Sequence, residues 1–84
     1  MWFEFTKHVL KRASDRGIDL SEIRDTVESS EPTPEKYNKL SVVKVFQYNK
    51  YWEGVFYREK EVKVLFVREN DKIVVITAIA RYFR

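Results

Sequence analysis

The second half of the chain constrains the fold most, because it is rich in β-branched and aromatic residues from Val42 to Phe83. Side chains of these types favour extended strands, where they pack well on a pleated surface. The region divides into four such runs, separated by polar breaks at Asn49-Lys50, near Lys60 and at Asn70-Asp71. Four strands joined by short breaks predict an antiparallel meander.

The first half predicts two short helices. The pattern is helical from Thr6 to Arg16, with Thr6 as N-cap and Gly17 where a left-handed residue would end the helix. A second helix is predicted over Leu20 to Ser29, because Asp19 can cap it and Glu22 completes a capping box.

Two segments lie outside these helices and strands. The apolar lead from Trp2 to Phe5 predicts either a brief strand or a cap on the core, and Ser30 to Leu40, which holds both prolines, predicts a connector. The predicted fold is therefore one α+β domain over residues 1–84. Two N-terminal helices pack on one face of a four-stranded antiparallel sheet, with a short extra N-terminal strand if the lead is extended.

The last predicted strand is apolar on both faces from Ile73 to Ala80, which is typical of a central strand covered on each side. Two short helices can hardly cover both faces of a four-stranded sheet. The second face is therefore predicted to meet another copy of the chain or a partner protein, unless sheet curvature and the connector cover it.

Composition excludes several classes of site. The 84 residues include no Cys and one His, so cysteine catalysis, structural zinc and a His-rich metal site are not expected. The glycines, Gly17 and Gly54, form no phosphate-cradling loop, and no cofactor is expected.

No apolar run reaches membrane-span length, which predicts a cytoplasmic protein without membrane contact. Nine Lys and nine Glu with few thermolabile side chains indicate a heat-adapted source.

The charge is unevenly distributed along the chain. Residues 1–31 carry five Lys or Arg against seven Asp or Glu, whereas residues 32–84 carry eleven against six. A basic second half favours an anionic partner such as RNA or DNA, although an ordinary solvated surface has the same composition.

The first helix carries three cation-capable residues spaced four apart: His8, Arg12 and Arg16. This spacing aligns them along the edge of the apolar arc, at the seam between helix and sheet. Desolvated cations need an anionic partner, either a protein carboxylate or a phosphate. The candidate carboxylates are Glu4, Asp19 and Glu22. The stripe therefore predicts either an ion-pair lattice between the two helices or a phosphate-binding edge with one titratable imidazole.

The residues from His8 to Ile18, together with the strand from Val74 to Thr77, resemble a family of small prokaryotic domains of unknown function. Its signature is His, Arg four later, Arg four after that and Gly-Ile. That family is in turn similar to the BrnT and RelE-like toxins, which are compact endoribonucleases of toxin-antitoxin systems with the same order of helices and sheet.

The resemblance implies metal-independent RNA cleavage, in which a ribose 2′-OH attacks the adjacent phosphate. His8 would move a proton, and Arg12, Arg16 and Arg81 would hold the phosphate and stabilise its extra charge. It also implies an antitoxin-like protein partner. The residues expected to contact RNA phosphates or bases are Lys44, Trp52, Tyr57, Arg58, Tyr82 and Arg84.

Two alternatives remain open at this point. The chain could be a non-catalytic module that binds nucleic acid or a protein through its sheet and its terminal Arg81, Tyr82 and Arg84. A small-molecule enzyme has less support, because the sequence has neither a metal-ligand set nor a carboxylate pair of the catalytic kind.

Overall fold

The computed structural model describes residues 2–84 and confirms an α+β fold with two helices. The elements are β1 (Trp2–Phe5), α1 (Lys7–Asp15), α2 (Leu20–Ser29), β2 (Thr33–Pro34), a 3-10 turn (Lys36–Asn38), β3 (Leu40–Trp52), β4 (Val55–Glu69) and β5 (Lys72–Phe83).

The sheet differs from the predicted one. It has five strands in the order β1-β5-β4-β3-β2, and β1 runs parallel to β5 while the other neighbours are antiparallel. The apolar lead is therefore a strand, and the connector contributes the two-residue β2. The prediction of a purely antiparallel four-stranded sheet is wrong. The two helices lead the chain from β1 at one edge of the sheet to β2 at the other edge, and the strands from β2 to β5 then return to β1, which pairs in parallel with β5.

Two of the three predicted breaks between strands are also wrong. At Asn49 the chain makes a β-bulge with φ 51°, and the hairpin turn comes at Glu53-Gly54, where both residues have positive φ. β4 passes through Lys60 without a break, and this lysine is 1% exposed. The predicted turn at Asn70-Asp71 is confirmed, with Asn70 at φ 57°.

The helix ends agree closely with the sequence signals. Thr6 accepts a hydrogen bond from the Val9 N–H at 3.2 Å, and Gly17 adopts φ 70° just after α1. α2 has the predicted bounds, and the Glu22 carboxylate accepts from the Asp19 N–H at 2.9 Å. Residues at the helix ends therefore determine where both helices begin and where α1 stops.

One hydrophobic core joins both helices to the same face of the sheet. Burying each aliphatic side chain in it contributes about 1.5–3 kcal/mol. Its buried members are Val9, Ala13, Ile18, Ile23, Val27, Val42, Val62, Val64, Phe66, Ile73, Val75 and Ala78.

The opposite face, called the open face below, is not covered by a helix within residues 2–84. Val43, Val45 and Ile79 are exposed there. β5 lies between two strands only over residues 72–75, so it is central for a third of its length. On the open face of β5, Val74 is half-buried and Ile79 is exposed, so residues 2–84 cover this face of the strand only in part. A second copy or a partner protein on the open face stays a prediction.

Candidate nucleic-acid interface

The four predicted catalytic residues do not come together. His8 and Arg12 are exposed on α1, and Arg16 lies at its C-terminal cap. Arg81 is on the open face, because its strand neighbour Tyr82 points to the helices. Only the three residues from the first half of the chain share a surface.

Arg16 connects the end of α1 to β5 by hydrogen bonds. Its guanidinium donates to the Ala78 carbonyl at 2.6 Å, and its own carbonyl accepts from the Tyr82 hydroxyl at 2.7 Å. This arginine is half-buried and bonded to backbone rather than to a carboxylate. Its first role is therefore to anchor the end of the helix.

Arg81 has its own partners on the open face. Its guanidinium lies 3.6 Å from the Glu61 carboxylate and over the ring of Phe83 at 5.5 Å. The side chain is 68% exposed, so this ion pair contributes little to stability. Arg81 cannot reach a phosphate held at His8, because the sheet lies between them.

The exposed surface of α1 is basic. Lys7, His8, Lys11 and Arg12 occupy an arc of about 140° away from the buried Val9. We call these four residues the α1 basic face. The five ion pairs within 4.0 Å among residues 2–84 are made by other cations, so none of the four has a carboxylate partner there.

The predicted ion-pair lattice between the helices is therefore not observed among residues 2–84. Charge counted over residues 1–31 hides the α1 basic face, because the acidic residues of that stretch are concentrated elsewhere. Counting charge over the single helix would reveal it: four Lys or Arg from Lys7 to Arg16 face one acidic residue, Asp15.

The aromatic residues expected to stack bases pack on one another instead. Trp52 stacks on Tyr82 with ring centroids 5.5 Å apart, and Tyr57 and Tyr48 contact Tyr82 at 5.3 and 5.4 Å. Burial raises the pKa of the Tyr82 hydroxyl to about 12. Trp52, Tyr57 and Tyr82 therefore form a half-buried cluster under the α1–α2 junction, which leaves less of each ring accessible to a base. Their contact with RNA bases stays a prediction.

Lys60 is the charged centre of this cluster. Its ammonium donates to the Gly17 carbonyl and to the Glu22 carboxylate, the latter at 2.7 Å, and lies over the rings of Tyr48 and Tyr82. The one carboxylate oxygen thus accepts from both the α2 N-terminus and a buried strand lysine. Because these partners come from distant parts of the chain, no local sequence signal distinguishes Lys60 from a surface lysine.

Lys44 is also engaged with α2. It donates to both carboxylate oxygens of Asp25 at 2.9 Å, and this hydrogen bond holds the pKa of that carboxyl below its usual value. The expected phosphate contact by Lys44 therefore competes with an existing ion pair.

Arg58 and Arg84 line one groove beside the bulge in β3. With Gln47, Asn49 and Glu59 they line a groove of about 360 Å³. Neither arginine has a carboxylate within 4.0 Å among the described residues. The structure therefore groups two of the predicted nucleic-acid contacts, although not with His8.

Within residues 2–84, no three His, Asp or Glu side chains cluster in a way that would hold a metal ion. None of the helices described has the length and apolar composition needed to cross a membrane.

Comparison with known proteins gives one match. A family described as a domain of unknown function (DUF4258) matches residues 5–80. This confirms the expected membership of a family of small domains of unknown function. No curated protein and no solved structure matches the chain significantly.

Proposed function

The chain belongs to the DUF4258 family, and we propose that it binds RNA through the α1 basic face. The observation that carries this proposal is that Lys7, His8, Lys11 and Arg12 are exposed without a carboxylate partner among residues 2–84. Surface cations that are not neutralised by the protein attract a polyanion and release its counterions on binding.

The geometry of the helix suits a phosphate backbone. Side chains four residues apart, such as Lys7 and Lys11, follow one another about 6 Å apart along the helix axis. Arg12 adds a planar guanidinium, which can hold a phosphate by two hydrogen bonds. Phosphate contacts of this kind give affinity with little sequence preference.

Binding is tested by titrating a fluorescent single-stranded RNA with the protein at several salt concentrations. The double variant Lys11→Gln/Arg12→Gln should weaken binding and lower the slope of log affinity against log salt by about 0.7 per lost phosphate contact. The matched control is Lys36→Gln/Arg68→Gln, which removes the same charges from exposed positions elsewhere. Equal weakening in both variants, or absence of RNA binding at low salt, contradicts the proposal.

Metal-independent RNA cleavage of the BrnT or RelE-like type is the second candidate function. It is favoured by the exposed imidazole of His8 beside the guanidinium of Arg12 on the same face of α1. His8 would take the proton of the ribose 2′-OH as this oxygen attacks the adjacent phosphorus. The P–O5′ bond would break, the leaving oxygen would take a proton from water, and a 2′,3′-cyclic phosphate would remain.

The partial assembly of the predicted catalytic set favours binding over cleavage. Arg81 lies across the sheet and Arg16 is bonded to Ala78. Among residues 2–84, Arg12 is therefore the one arginine of that set free to stabilise the reacting phosphate. A site that has lost two guanidinium groups would be a weaker catalyst but would still bind the RNA backbone.

Cleavage is tested by incubating the purified protein with RNA in EDTA. An active enzyme leaves cyclic phosphate ends and spares RNA with a 2′-deoxy scissile nucleotide. His8→Gln abolishes its cleavage, while Lys7, Lys11 and Arg12 still hold the RNA. Intact RNA with wild-type protein, or equal cleavage by His8→Gln, excludes this second candidate and leaves the binding proposal unaffected.

A further inference from the structure

We propose that the groove lined by Gln47, Asn49, Arg58, Glu59 and Arg84, called the Arg58–Arg84 groove, binds a nucleotide. Its volume of about 360 Å³ lies in the range of small-ligand pockets. This site is separate from the α1 basic face and does not rest on the function proposed for that face.

The two arginines supply a phosphate site. Both lie within one groove, and neither is neutralised by a carboxylate within 4.0 Å among residues 2–84. Guanidinium groups hold phosphate oxygens by paired hydrogen bonds, and two of them can bind one phosphate from different sides.

The groove owes its shape to the β-bulge in β3. Asn49 has a positive φ of 51°, and the pairing of β3 with β4 shifts between Gln47 and Lys50. A bulge bends its strand and redirects the neighbouring side chains, which is why bulges are common beside binding sites. At this bulge, Arg58 and Glu59 on β4 line the groove with the two amides of β3.

An exposed aromatic pair stands next to the groove. Tyr51 and Phe56 pair across β3 and β4 and lie two residues further along these strands than Asn49 and Arg58, a distance of about 7 Å along each strand. Their rings contact edge-to-face at 5.4 Å and are 71% and 45% exposed. Unlike the half-buried rings around Lys60, these two rings are exposed and can stack on a base.

The remaining polar groups suit the sugar and the base. Glu59 can accept hydrogen bonds from ribose hydroxyls, as acidic residues do in dinucleotide-binding folds. The amides of Gln47 and Asn49 can each donate and accept, which matches the edge of a base. Phosphate, ribose and base together define the ligand as a ribonucleotide, either free as a nucleoside monophosphate or as one unit of an RNA chain.

The test measures binding of AMP and of a short oligoribonucleotide by calorimetry at low salt. We expect Arg58→Ala and Arg84→Ala each to weaken binding about tenfold. Arg58→Lys should lose part of this affinity, because it keeps the charge but not the paired hydrogen bonds. The matched control is Arg68→Ala, an exposed arginine further along β4, which should bind within twofold of the wild type.

Glu59→Gln gives a readout that a purely structural role would not change. The wild type should prefer AMP over 2′-deoxy-AMP, and Glu59→Gln should reduce that preference while phosphate binding is kept. Thermal melting of each variant identifies a fold defect. If an alanine variant has a lower melting temperature than the wild type, the proposal is tested with the conservative substitutions Arg58→Lys and Glu59→Gln instead.

The outcomes separate the sources of the ligand. Binding of AMP supports the free nucleotide, whereas binding of the oligonucleotide alone, weakened about tenfold in Arg58→Ala, supports a nucleotide unit of RNA. Inorganic phosphate binding as tightly as AMP, equal losses in Arg58→Ala and Arg68→Ala, or no binding of either ligand would overturn the proposal. AMP binding that is unchanged in Lys11→Gln/Arg12→Gln shows that the groove acts independently of α1.

Discussion

The two helices are packed on the same core but use their charges in opposite ways. On α2, Asp25 pairs with Lys44, Glu22 binds the buried Lys60, and Arg24 lies over the rings of Phe3 and Phe5. On α1, the basic face makes no ion pair within 4.0 Å among the described residues, and Arg16 at its end bonds to backbone.

This contrast separates structural charge from functional charge. A charge bonded to the sheet cannot be removed without leaving its partner desolvated, so it stabilises the fold and is poorly placed to bind a ligand. A charge exposed without a partner contributes little to stability and remains available to an anion. We therefore expect substitutions on α2 to change stability and substitutions on α1 to change binding.

The largest effect is expected at Glu22. The Glu22→Ala substitution leaves the Lys60 ammonium buried with one carbonyl and two aromatic rings, which should lower the free energy of unfolding by about 3 kcal/mol. Urea denaturation measures this loss. Glu28→Ala, which removes an exposed carboxylate of α2 that makes no ion pair among residues 2–84, should cost less than about 0.5 kcal/mol.

A loss below about 1 kcal/mol for Glu22→Ala would show that Lys60 does not depend on its ion pair. Combining Lys60→Met with Glu22→Gln should recover most of the stability, because a buried pair can often be replaced by apolar groups.

The junction between the helices should show the next largest effect. A Cβ at Gly17 would lie 2.7 Å from the Trp52 ring, and the residue has φ 70°, so Gly17→Ala should cost about 2–3 kcal/mol. Gly54 has φ 84°, and within residues 2–84 no atom beyond its chain neighbours would lie within 4 Å of such a Cβ. Gly54→Ala should therefore cost about 1 kcal/mol for backbone strain alone. Equal losses would show that close packing on Trp52 adds nothing.

A smaller effect is expected at high pH through Tyr82, whose pKa is raised to about 12 in the folded protein by burial. Between pH 10 and 12 the unfolded chain loses this proton while the folded chain keeps it, so stability should fall as pH rises. Denaturation at pH 9 and 11 measures the fall. Tyr82→Phe should reduce it, whereas Tyr37→Phe, at an exposed position, should not; identical slopes in both variants would contradict this expectation.

The smallest effect on stability is expected on α1. Lys11→Gln/Arg12→Gln should change the free energy of unfolding by less than about 0.5 kcal/mol, because neither residue has an ion-pair partner among residues 2–84. Thermal or urea unfolding measures this. A loss as large as that of Glu22→Ala would remove the distinction between the two helices.

Local signals in the sequence predicted the parts of the fold that depend on a few neighbouring residues. Thr6, Gly17, the capping box of α2 and the turn at Asn70 all follow from hydrogen bonds or φ angles within one turn of chain. The polar pair Asn49-Lys50 predicts a break between strands, whereas the structure has a bulge there, with Asn49 at φ 51°.

The candidate site was predicted less well, because its composition depends on residues far apart in the chain. Helical spacing correctly grouped His8 and Arg12, whereas Arg81 was placed with them although the sheet separates them. Trp52 and Tyr82 were expected to contact bases, but they stack on each other from different strands. Strand alternation, applied to Arg81 with the correct partner register, would have placed it on the open face.

The amino-acid sequence by itself determined the fold class, the helix ends and the basic character of α1, because periodicity, caps and charge act over a few residues. Only the tertiary structure decided which charges are neutralised: it buried Lys60 against Glu22 and left the α1 basic face without a carboxylate partner among residues 2–84. The physical reason is that the free energy of a charge depends on its solvation and its neighbours. Both are determined by residues that meet only when the sheet and helices have packed.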